Sequence, residues 1–377
     1  MYNKILIVFI GIVILLLGIF LFQYKDEIGS EETKIKNSPS IFLSQSKTSG
    51  YSRAYKEHNF IFPEDFGPHT DFQTEWWYYT GNLENKEGRH FGFQLTIFRR
   101  SLSPNRVIRE SAWAANEIYF AHFAISDIRE KQHLSSEKWN REALGLAGAL
   151  SDPFKVWIDN WQIKSVDNYV KLTAASDNFS IDLTLEQLKS IVLHGEKGLS
   201  RKSSEPGNAS YYYSQTRLRT EGTIEINGKK FKVSGFSWFD HEWSTSALSK
   251  NQVGWDWFSF QLDNGTELML YQLRLKDGET DKSSNGTFVK ENGDTVHLTS
   301  SDFSIEVLKN WKSIRTNVVY PSKWRVKISK LGLEFTFEPH LSDQEIDHSF
   351  TYWEGAVKVK TNGKDIGNGF AELVGYE

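Results

Sequence analysis

Turn signals recur along this chain, and they constrain its fold more than any other feature of the sequence. Six Asn-Gly or Asp-Gly dipeptides separate runs of strand-forming residues, at positions 227–228, 264–265, 277–278, 285–286, 292–293 and 362–363. Such dipeptides form the tight turns of antiparallel hairpins. The runs between them alternate apolar and polar residues or are rich in β-branched and aromatic side chains, as in 231–239 and 267–275. The pattern predicts an all-β, antiparallel fold rather than alternating strands and helices.

Aromatic residues dominate the apolar content of the chain. The 377 residues include 13 Trp, 15 Tyr and 26 Phe but only 2 Met and no Cys. Rings favour strands and build hydrophobic pockets, whereas the absence of Cys excludes disulfides, thiolate metal sites and a lipid-modified cysteine. The net charge of −4 offers no basic excess for nucleic acid. The composition therefore predicts a ring-rich β protein that does not bind nucleic acid.

The N-terminus carries 18 residues without a polar side chain, from Ile5 to Phe22. As a helix this segment is about 27 Å long, close to the hydrocarbon thickness of a bilayer. It predicts a transmembrane anchor within residues 1–24, with a cleaved signal peptide as the alternative. A polar linker is predicted over residues 25–58. We expect the globular part to lie outside the cytoplasm, in the periplasm or at the cell surface, held at the membrane by the anchor.

Helical patterns are scarce in the globular part of the chain. The best candidates for helices are residues 135–150 and 185–192, which contain several strong helix formers. Residues 196–210 form a polar insertion with Gly, Ser and Pro, which predicts a long mobile loop.

An internal repeat indicates a duplication. Residues 76–85 align without gaps onto residues 255–264, with identical Trp, Leu and Asn at three positions and similar residues at three more. Each segment then turns at a glycine into an apolar strand. The spacing is about half the globular length, which predicts two related β domains, at residues 59–248 and 249–377.

The first chemically suggestive segment is residues 74–83. Because side chains alternate along a strand, Glu75 and Trp77 share one face and Trp76 and Tyr78 the other. A carboxylate among indole rings can lose its water and acquire a raised pKa, as a general acid requires. The alternative is that the rings pack a barrel interior and that Glu75 pairs with an arginine.

The segment with the strongest functional signal is the run 235–246. On this strand His241 and Trp243 share one face, and Asp240 and Glu242 share the other. Either face could line a cavity. Two carboxylates about 7 Å apart along a strand would also suit an acid/base pair, including that of a glycosidase. Ionisable residues this dense are costly in a closed core unless they are paired, so the segment predicts a polar site or a barrel mouth.

A third segment, residues 254–262, carries Trp255 and Trp257 on one face and Asp256 on the other. Downstream, Tyr271 lies on a predicted strand and could donate a hydrogen bond inside a pocket, although such tyrosines often belong to a core. The chain has no glycine-rich phosphate loop and no metalloprotease motif, and its His residues lack ligand spacing. The sequence therefore predicts neither a metal nor a cofactor.

Six motifs together resemble the AttH-like family: EWWYYTGNL, YYYSQTRL, FSWFDHEWSTS, GWDWFSFQLDNGTELMLYQLR, YPSKWRV and YWEGAVKV. This family is related to the carotenoid 1,2-hydratases and is often labelled as secreted hydrolases. The resemblance covers about residues 60–377. It implies two tandem lipocalin-like (calycin-type) antiparallel β-barrels and an exported protein.

The resemblance also implies a chemistry. Hydratases of this kind protonate an isoprenoid double bond and add water to the resulting tertiary cation, which requires a proton donor and aromatic faces in an apolar pocket. The His-x-Trp pair of the family is matched by His241 and Trp243, and its tyrosine by Tyr271. The aspartate near that tyrosine has no match, because Gln272 and Leu273 stand there. Asp240, Glu242 or Asp256 would then have to supply the proton.

The sequence predicts a membrane-anchored protein that binds a hydrophobic, isoprenoid or lipid-like ligand, and it leaves open whether the protein is an enzyme. If it is one, the resemblance implies a hydro-lyase. A carrier without chemistry and a carbohydrate-active protein with Trp platforms are the alternatives. The expected catalytic residues are His241, Asp240, Glu242 and Tyr271; the expected ligand-binding residues are Glu75, Trp76, Trp77, Trp243, Trp255, Asp256 and Trp257.

Overall fold

The computed structural model describes residues 48–106, 110–245 and 248–376. These residues form 23 β-strands and three short 3₁₀ turns, and no α-helix occurs among them. The all-β, antiparallel prediction is confirmed. The predicted anchor, within residues 1–24, lies outside the described residues, as does most of the linker. Within the described ranges no helix is long and apolar enough to cross a membrane.

The first sheet contains thirteen antiparallel strands. Its strands are β1 (Thr74–Asn85), β2 (His90–Ser101), β3 (Glu117–Asp127), β4 (Gln132–Arg141), β5 (Ala147–Ser151), β6 (Phe154–Ile158), β7 (Trp161–Val166), β8 (Tyr169–Ala175), β9 (Phe179–Gln187), β10 (Val192–Leu193), β11 (Leu199–Arg201), β12 (Ala209–Ile226) and β13 (Lys229–Ser244). The order is β4-β3-β2-β1-β13-β12-β9-β8-β7-β6-β5, with β10 and β11 also paired to β12. The terminal strands β4 and β5 approach each other, so the sheet curls into a nearly closed barrel.

The second sheet contains ten antiparallel strands and forms a half-barrel. Its strands are β14 (Gln252–Leu262), β15 (Glu267–Leu275), β16 (Asn285–Val289), β17 (Thr295–Thr299), β18 (Phe303–Lys312), β19 (Val319–Ile328), β20 (Leu333–Pro339), β21 (Glu345–Asp347), β22 (Thr351–Thr361) and β23 (Lys364–Val374). The order is β17-β16-β15-β14-β23-β22-β20-β19-β18, with β21 on β22. The predicted boundary at residues 248–249 lies in the connection between β13 and β14.

Four apolar clusters organise the interior of the described residues, the smallest of them around Phe120. The largest fills the first barrel and includes Trp77 and Phe239. A second fills the half-barrel around Phe258 and Trp324. A third, smaller cluster lies between the two sheets and includes Tyr78 and Trp257. Strands β1 and β14 therefore bury both of their faces, one in a barrel core and one against the other sheet.

The repeated segments occupy equivalent places in the two sheets. β1 lies between β2 and β13, and β14 lies between β15 and β23. The aligned residues Tyr79 and Phe258 both point into their barrel cores. The aligned residues Trp76 and Trp255 both point to the cluster between the sheets. The alignment found in the sequence therefore corresponds to an equivalence in three dimensions.

A buried ion pair ties the two sheets together. Glu267, at the start of β15, is fully buried. Its Oε1 atom accepts a hydrogen bond of 2.5 Å from Arg217 Nε on β12. Its Oε2 atom lies 2.8 Å from Nζ of Lys189, which follows β9. One carboxylate of the second sheet is thus paired with two cations of the first.

Both predicted helices are wrong. Residues 135–150 form the end of β4, a short turn and β5, and residues 185–192 form the end of β9 and the start of β10. β4 is half-exposed along its length, so it lacks the clear two-residue alternation that marks a strand. Helix propensity is a weak signal, and strand pairing in the barrel overrides it here.

Two smaller predictions also fail. Asn285-Gly286 lies inside β16 rather than in a turn, because Gly286 packs closely against Leu270 on β15. The insertion 196–210 contains β11, and its Asn208 and Ser203 side chains are buried. This segment is therefore part of the barrel wall over much of its length, not a freely exposed loop.

Candidate functional site

The two faces of β13 lie in different compartments. His241 and Trp243 point into the core of the first barrel, where both are fully buried. Asp240 and Glu242 point the other way, into a cavity between the two sheets. The strand alternation predicted from the sequence is therefore present, and the structure assigns the acidic face to the cavity.

His241 belongs to a closed network inside the first barrel. Its Nε2 atom lies 2.9 Å from Glu75 Oε1, and its Nδ1 atom lies 2.9 Å from the Tyr213 hydroxyl. Glu75 also lies 2.7 Å from Nδ1 of His69 and accepts a 2.8 Å hydrogen bond from Arg99 Nε. Every polar atom of the His241 ring thus has a partner within the core.

The charges of this network are mutually compensated. Burial alone would raise the pKa of Glu75, but Arg99 and His69 hold it well below its ordinary value. Burial would lower the pKa of His69, yet Glu75 and Asp65 raise it. For His241 burial prevails, and its pKa is lowered. The arrangement is an ionised acid held by an arginine and a charged imidazole, beside a neutral His241.

The donor atoms of this network are also close enough together to bind a metal. Two groups qualify, His58 with Asp65 and His69, and His69 with Glu75 and His241. In both groups the donor atoms already bind one another, as in the 2.9 Å contact between His69 Nε2 and Asp65 Oδ1. The absence of a metal therefore stays a prediction from the sequence.

The cavity between the sheets has a volume of about 110 Å³, far above the roughly 10–15 Å³ that one water needs. Half of the residues that line it are aromatic: Trp76, Tyr78, Phe98, Phe120, Tyr212, Trp255, Trp257, Tyr271, Phe350 and Tyr352. Its ionisable side chains, apart from the tyrosines, are His122, Lys202, Asp240, Glu242, Glu354 and Glu372. Both sheets contribute to each set. An apolar chamber with a few polar groups is the usual form of a small-molecule site.

Asp240 is held in the cavity wall by three donors. Tyr212 donates a 2.6 Å hydrogen bond to Oδ2, Trp238 Nε1 donates a 2.5 Å bond to Oδ1, and the Ser214 hydroxyl also donates to Oδ1. Burial raises the pKa of Asp240 to about 7, although these three hydrogen bonds oppose the rise. The carboxyl group is thus poised to change its protonation state near neutral pH.

A second acidic centre comes from the other sheet. Glu354 on β22 and Glu372 on β23 lie directly opposite each other in the strand register, and both line the cavity. Burial raises the pKa of Glu372 to about 8, and the Asp240 and Glu242 carboxyls add to the rise. Burial and the neighbouring Glu372 raise the pKa of Glu354 well above its ordinary value. Like charges directly opposite in a sheet repel, so this pair retains protons.

Lys202 and Tyr271 form the polar end of the cavity. Lys202 Nζ lies 2.8 Å from Glu242 Oε1 and 4.5 Å from the centre of the Tyr271 ring. Burial opposes a charge on Lys202, but Glu242 raises its pKa. The Tyr271 hydroxyl accepts a 2.5 Å hydrogen bond from Asn285 and lies 3.1 Å from the Ser200 hydroxyl. Lys202 thus contacts both of the predicted catalytic residues Glu242 and Tyr271.

The remaining predicted residues divide between the compartments. Of the expected ligand-binding residues, Trp76, Trp255 and Trp257 line the cavity. Glu75, Trp77 and Trp243 lie in the first barrel core, where Trp243 stacks on His69 at 3.6 Å. Asp256 faces neither place: it lies 3.2 Å from Arg274 and accepts a hydrogen bond of 2.9 Å from Tyr376. Apart from Asp256, the predicted site thus falls into two groups separated by the first sheet.

The cavity residues that sequence reasoning missed include Lys202, Tyr212, Glu354 and Glu372. Lys202 lies in the insertion that the composition assigned to a loop. Glu354 and Glu372 are the only carboxylates in two mostly apolar segments, YWEGAVKV and GFAELV. An acid at a buried strand position is costly unless it has a function or a partner, and this signal could have identified both.

Comparison with known proteins agrees with this architecture. A model of the AttH-like family matches residues 53–376. The crystal structure of a protein assigned as AttH from Nitrosomonas europaea has a TM-score of 0.78 and 33% sequence identity, over 86% of this chain and 100% of that chain. That of kievitone hydratase from Nectria haematococca has a TM-score of 0.64 and 16% identity, over 86% and 98%, and shares the fold.

A relative of established name is kievitone hydratase of Fusarium solani subsp. phaseoli. It is 23% identical over 211 residues, which are 53% of this chain and 58% of that relative. The match thus spans little more than half of the relative's length. The family model, by contrast, extends over nearly all of the described residues, as the sequence motifs predict. The chain belongs to the AttH-like family.

Proposed function

We propose that the cavity between the sheets binds an apolar, isoprenoid-like ligand and catalyses the acid-dependent addition of water to its double bond. The observation that carries this proposal is the combination of aromatic walls with carboxyl groups that keep protons near neutral pH, Asp240 at about 7 and Glu372 at about 8. Protonation of an alkene needs an acid whose proton is still present at the working pH. Solvated carboxyl groups have lost theirs by then.

The walls suit the cation that such a protonation creates. Trp76, Trp255 and Trp257 line the cavity, and the faces of aromatic rings attract positive charge. A lining rich in aromatic residues also favours an apolar ligand over a sugar, because a sugar would need a polar partner for each hydroxyl group. The similarity to kievitone hydratases supports the same class of reaction, but it does not assign their substrate to this chain.

The test uses citronellol, an acyclic isoprenoid alcohol with a single trisubstituted alkene. The full chain, in detergent micelles, is incubated with citronellol in H₂¹⁸O, and the products are analysed by mass spectrometry. We expect a tertiary alcohol that carries one ¹⁸O atom. Asp240→Asn should lower the rate by about 10²-fold or more, as loss of an acid/base group does. Citronellol that binds but stays unchanged in every condition would overturn the hydratase proposal.

A carrier without chemistry is the second candidate, and the enclosed apolar cavity is the observation in its favour. Mass spectrometry of apolar molecules that co-purify with the full chain separates the two candidates. A carrier would retain an intact isoprenoid or lipid that shows no ¹⁸O incorporation.

In either case we propose that residues 5–22 hold the protein at a membrane, with the cavity outside the cytoplasm, where an apolar ligand is available.

A further inference from the structure

The internal repeat relates one carboxyl group in each sheet. Tyr78 on β1 aligns with Trp257 on β14. The residue opposite Tyr78 on the neighbouring strand β13 is Asp240. The residue opposite Trp257 on the neighbouring strand β23 is Glu372. Asp240 and Glu372 therefore occupy equivalent positions in the two sheets, and both reach the same cavity.

The surroundings of the two carboxyl groups differ, and this difference separates their roles. Trp257 Nε1 donates a 3.0 Å hydrogen bond to the Tyr212 hydroxyl oxygen, so the Tyr212 hydrogen is free to point at Asp240. With Trp238 and Ser214, three donors therefore converge on Asp240. Three donors suit a carboxylate that accepts, not an acid that gives a proton away.

Glu372 has a different environment, in which the Trp255 side chain donates a hydrogen bond to it. Its cross-strand neighbour is another carboxyl group, Glu354, and no cation pairs with either residue among the described ion pairs. The lysine of the cavity lining, Lys202, is paired with Glu242. Two adjacent acids without a counter-ion retain protons that they can deliver. The strand register thus places a proton-holding centre in the second sheet and a proton acceptor in the first.

We propose that Glu372, supported by Glu354, is the catalytic proton donor of the cavity and that Asp240 is the acceptor that activates the attacking water. This inference rests on the proposed hydratase function. It assigns proton donation to the second sheet and the activation of water to the first. An acid and a base on opposed walls allow the proton and the water to reach the two alkene carbons from separate sides.

The step balances with alkene and water alone. The O–H bond of Glu372 breaks as the alkene electron pair forms a C–H bond at the less substituted carbon, which leaves a tertiary cation and a Glu372 carboxylate. Water forms a C–O bond to the cation and gives a proton to the Asp240 carboxylate. After the tertiary alcohol leaves, Asp240 releases its proton and Glu372 takes one from water, which restores both groups.

The two roles are separated by turnover of citronellol in D₂O. Glu372→Gln should abolish both hydration and the appearance of deuterium at the alkene carbon. Asp240→Asn should lose hydration by about 10²-fold but retain deuterium exchange into recovered citronellol, because protonation by Glu372 is still reversible. Two results would overturn the assignment even if the wild type is a hydratase. One is deuterium exchange that survives in Glu372→Gln. The other is deuterium exchange that vanishes in Asp240→Asn while Glu372→Gln still hydrates citronellol.

A binding measurement tests the assignment without turnover. N,N-dimethyloctylamine is a tertiary amine that is an ammonium ion at neutral pH, and it can form an ammonium–carboxylate pair with Glu372 once Glu372 releases its proton to solvent. We expect Glu372→Gln to weaken its binding by about tenfold or more, which is the loss of one charge-assisted hydrogen bond in a poorly solvated site. Equal affinity for wild type and Glu372→Gln would contradict the inference, whereas failure of the hydration assay alone would contradict only the proposed function.

The matched control is Glu306→Gln, the same substitution at an exposed position of β18, where Glu306 pairs with Arg325. It should leave amine binding, deuterium exchange and hydration at wild-type levels. Thermal unfolding of each variant establishes that Glu372→Gln and Asp240→Asn are folded. A loss of amine binding in Glu306→Gln equal to that in Glu372→Gln would show a non-specific charge effect and overturn the assignment.

Discussion

His241 and Asp240 are neighbours in the chain, yet their side chains lie on opposite sides of the first sheet. His241 pairs with Glu75 Oε1 at 2.9 Å inside the barrel core. Asp240 lines the cavity between the sheets. A strand with two buried faces can thus carry a structural network on one face and a reactive group on the other.

We predict that His241→Asn destabilises the protein and leaves the cavity intact. The variant removes one buried partner from Glu75 and one from Tyr213, which should cost about 2–4 kcal/mol. Urea denaturation measures the loss, and N,N-dimethyloctylamine binding in native buffer reports on the cavity. Unchanged stability with abolished binding or turnover would instead place His241 in the chemistry.

Glu372→Gln should stabilise the protein at alkaline pH. Folded Glu372 keeps its proton up to pH about 8, whereas the ordinary value of the group is 4.5. The folded state therefore binds more protons than the unfolded state between these values, and stability falls as the pH rises through this window. We expect the variant to exceed the wild type by about 1–4 kcal/mol at pH 9 and by little at pH 4. Chemical denaturation at both values is the measurement.

Turnover should follow a narrow bell in pH. The rising limb needs Asp240 to lose its proton, with a midpoint near its pKa of about 7. The falling limb needs Glu372 to keep its proton, with a midpoint near about 8. Glu354 lies opposite Glu372 in the same cavity, so the falling midpoint belongs to a coupled pair of carboxyl groups. A rate that is flat from pH 5 to 10 would argue against acid/base catalysis in this cavity.

Glu267→Gln should weaken the attachment of the two sheets. The substitution leaves Arg217 and Lys189 without the carboxylate that pairs with both of them across the sheets. Breaking a buried pair in this way costs about 3–5 kcal/mol. We expect a lower denaturation midpoint, which Glu306→Gln should not reproduce. An unchanged midpoint would show that the ion pair contributes nothing to docking.

Much of the fold can be predicted from the sequence, because turn residues and the alternation of apolar and polar side chains along a strand are local signals. Asn227-Gly228 and Asn362-Gly363 both form hairpin turns with positive φ angles, as their residue types predict. The repeat of Trp76 and Trp255 also corresponds to equivalent strands. Strand β4 was mistaken for a helix because its half-exposed side chains show no alternation.

The site was harder to predict, because it depends on which sheets pack together. Alternation separates Asp240 from His241, but both faces of β13 are buried, so burial alone could not choose between them. Glu354 and Glu372 come from strands more than 100 residues away from Asp240, and only the register of the second sheet brings them together. Lys202 forms an ion pair with Glu242 in the cavity wall, and local composition cannot indicate such a contact.

The protonation state of the cavity carboxyl groups tests the central claim most directly. Side-chain carboxyl ¹³C labels in the full chain are titrated by NMR, with resonances assigned by their absence in Glu372→Gln and Asp240→Asn. We predict midpoints near pH 8 for Glu372 and near pH 7 for Asp240. Midpoints at the ordinary values of 4.5 and 3.8 would contradict the account, since Glu372 would then hold no proton for an alkene at neutral pH and Asp240 would not set the rising limb near pH 7.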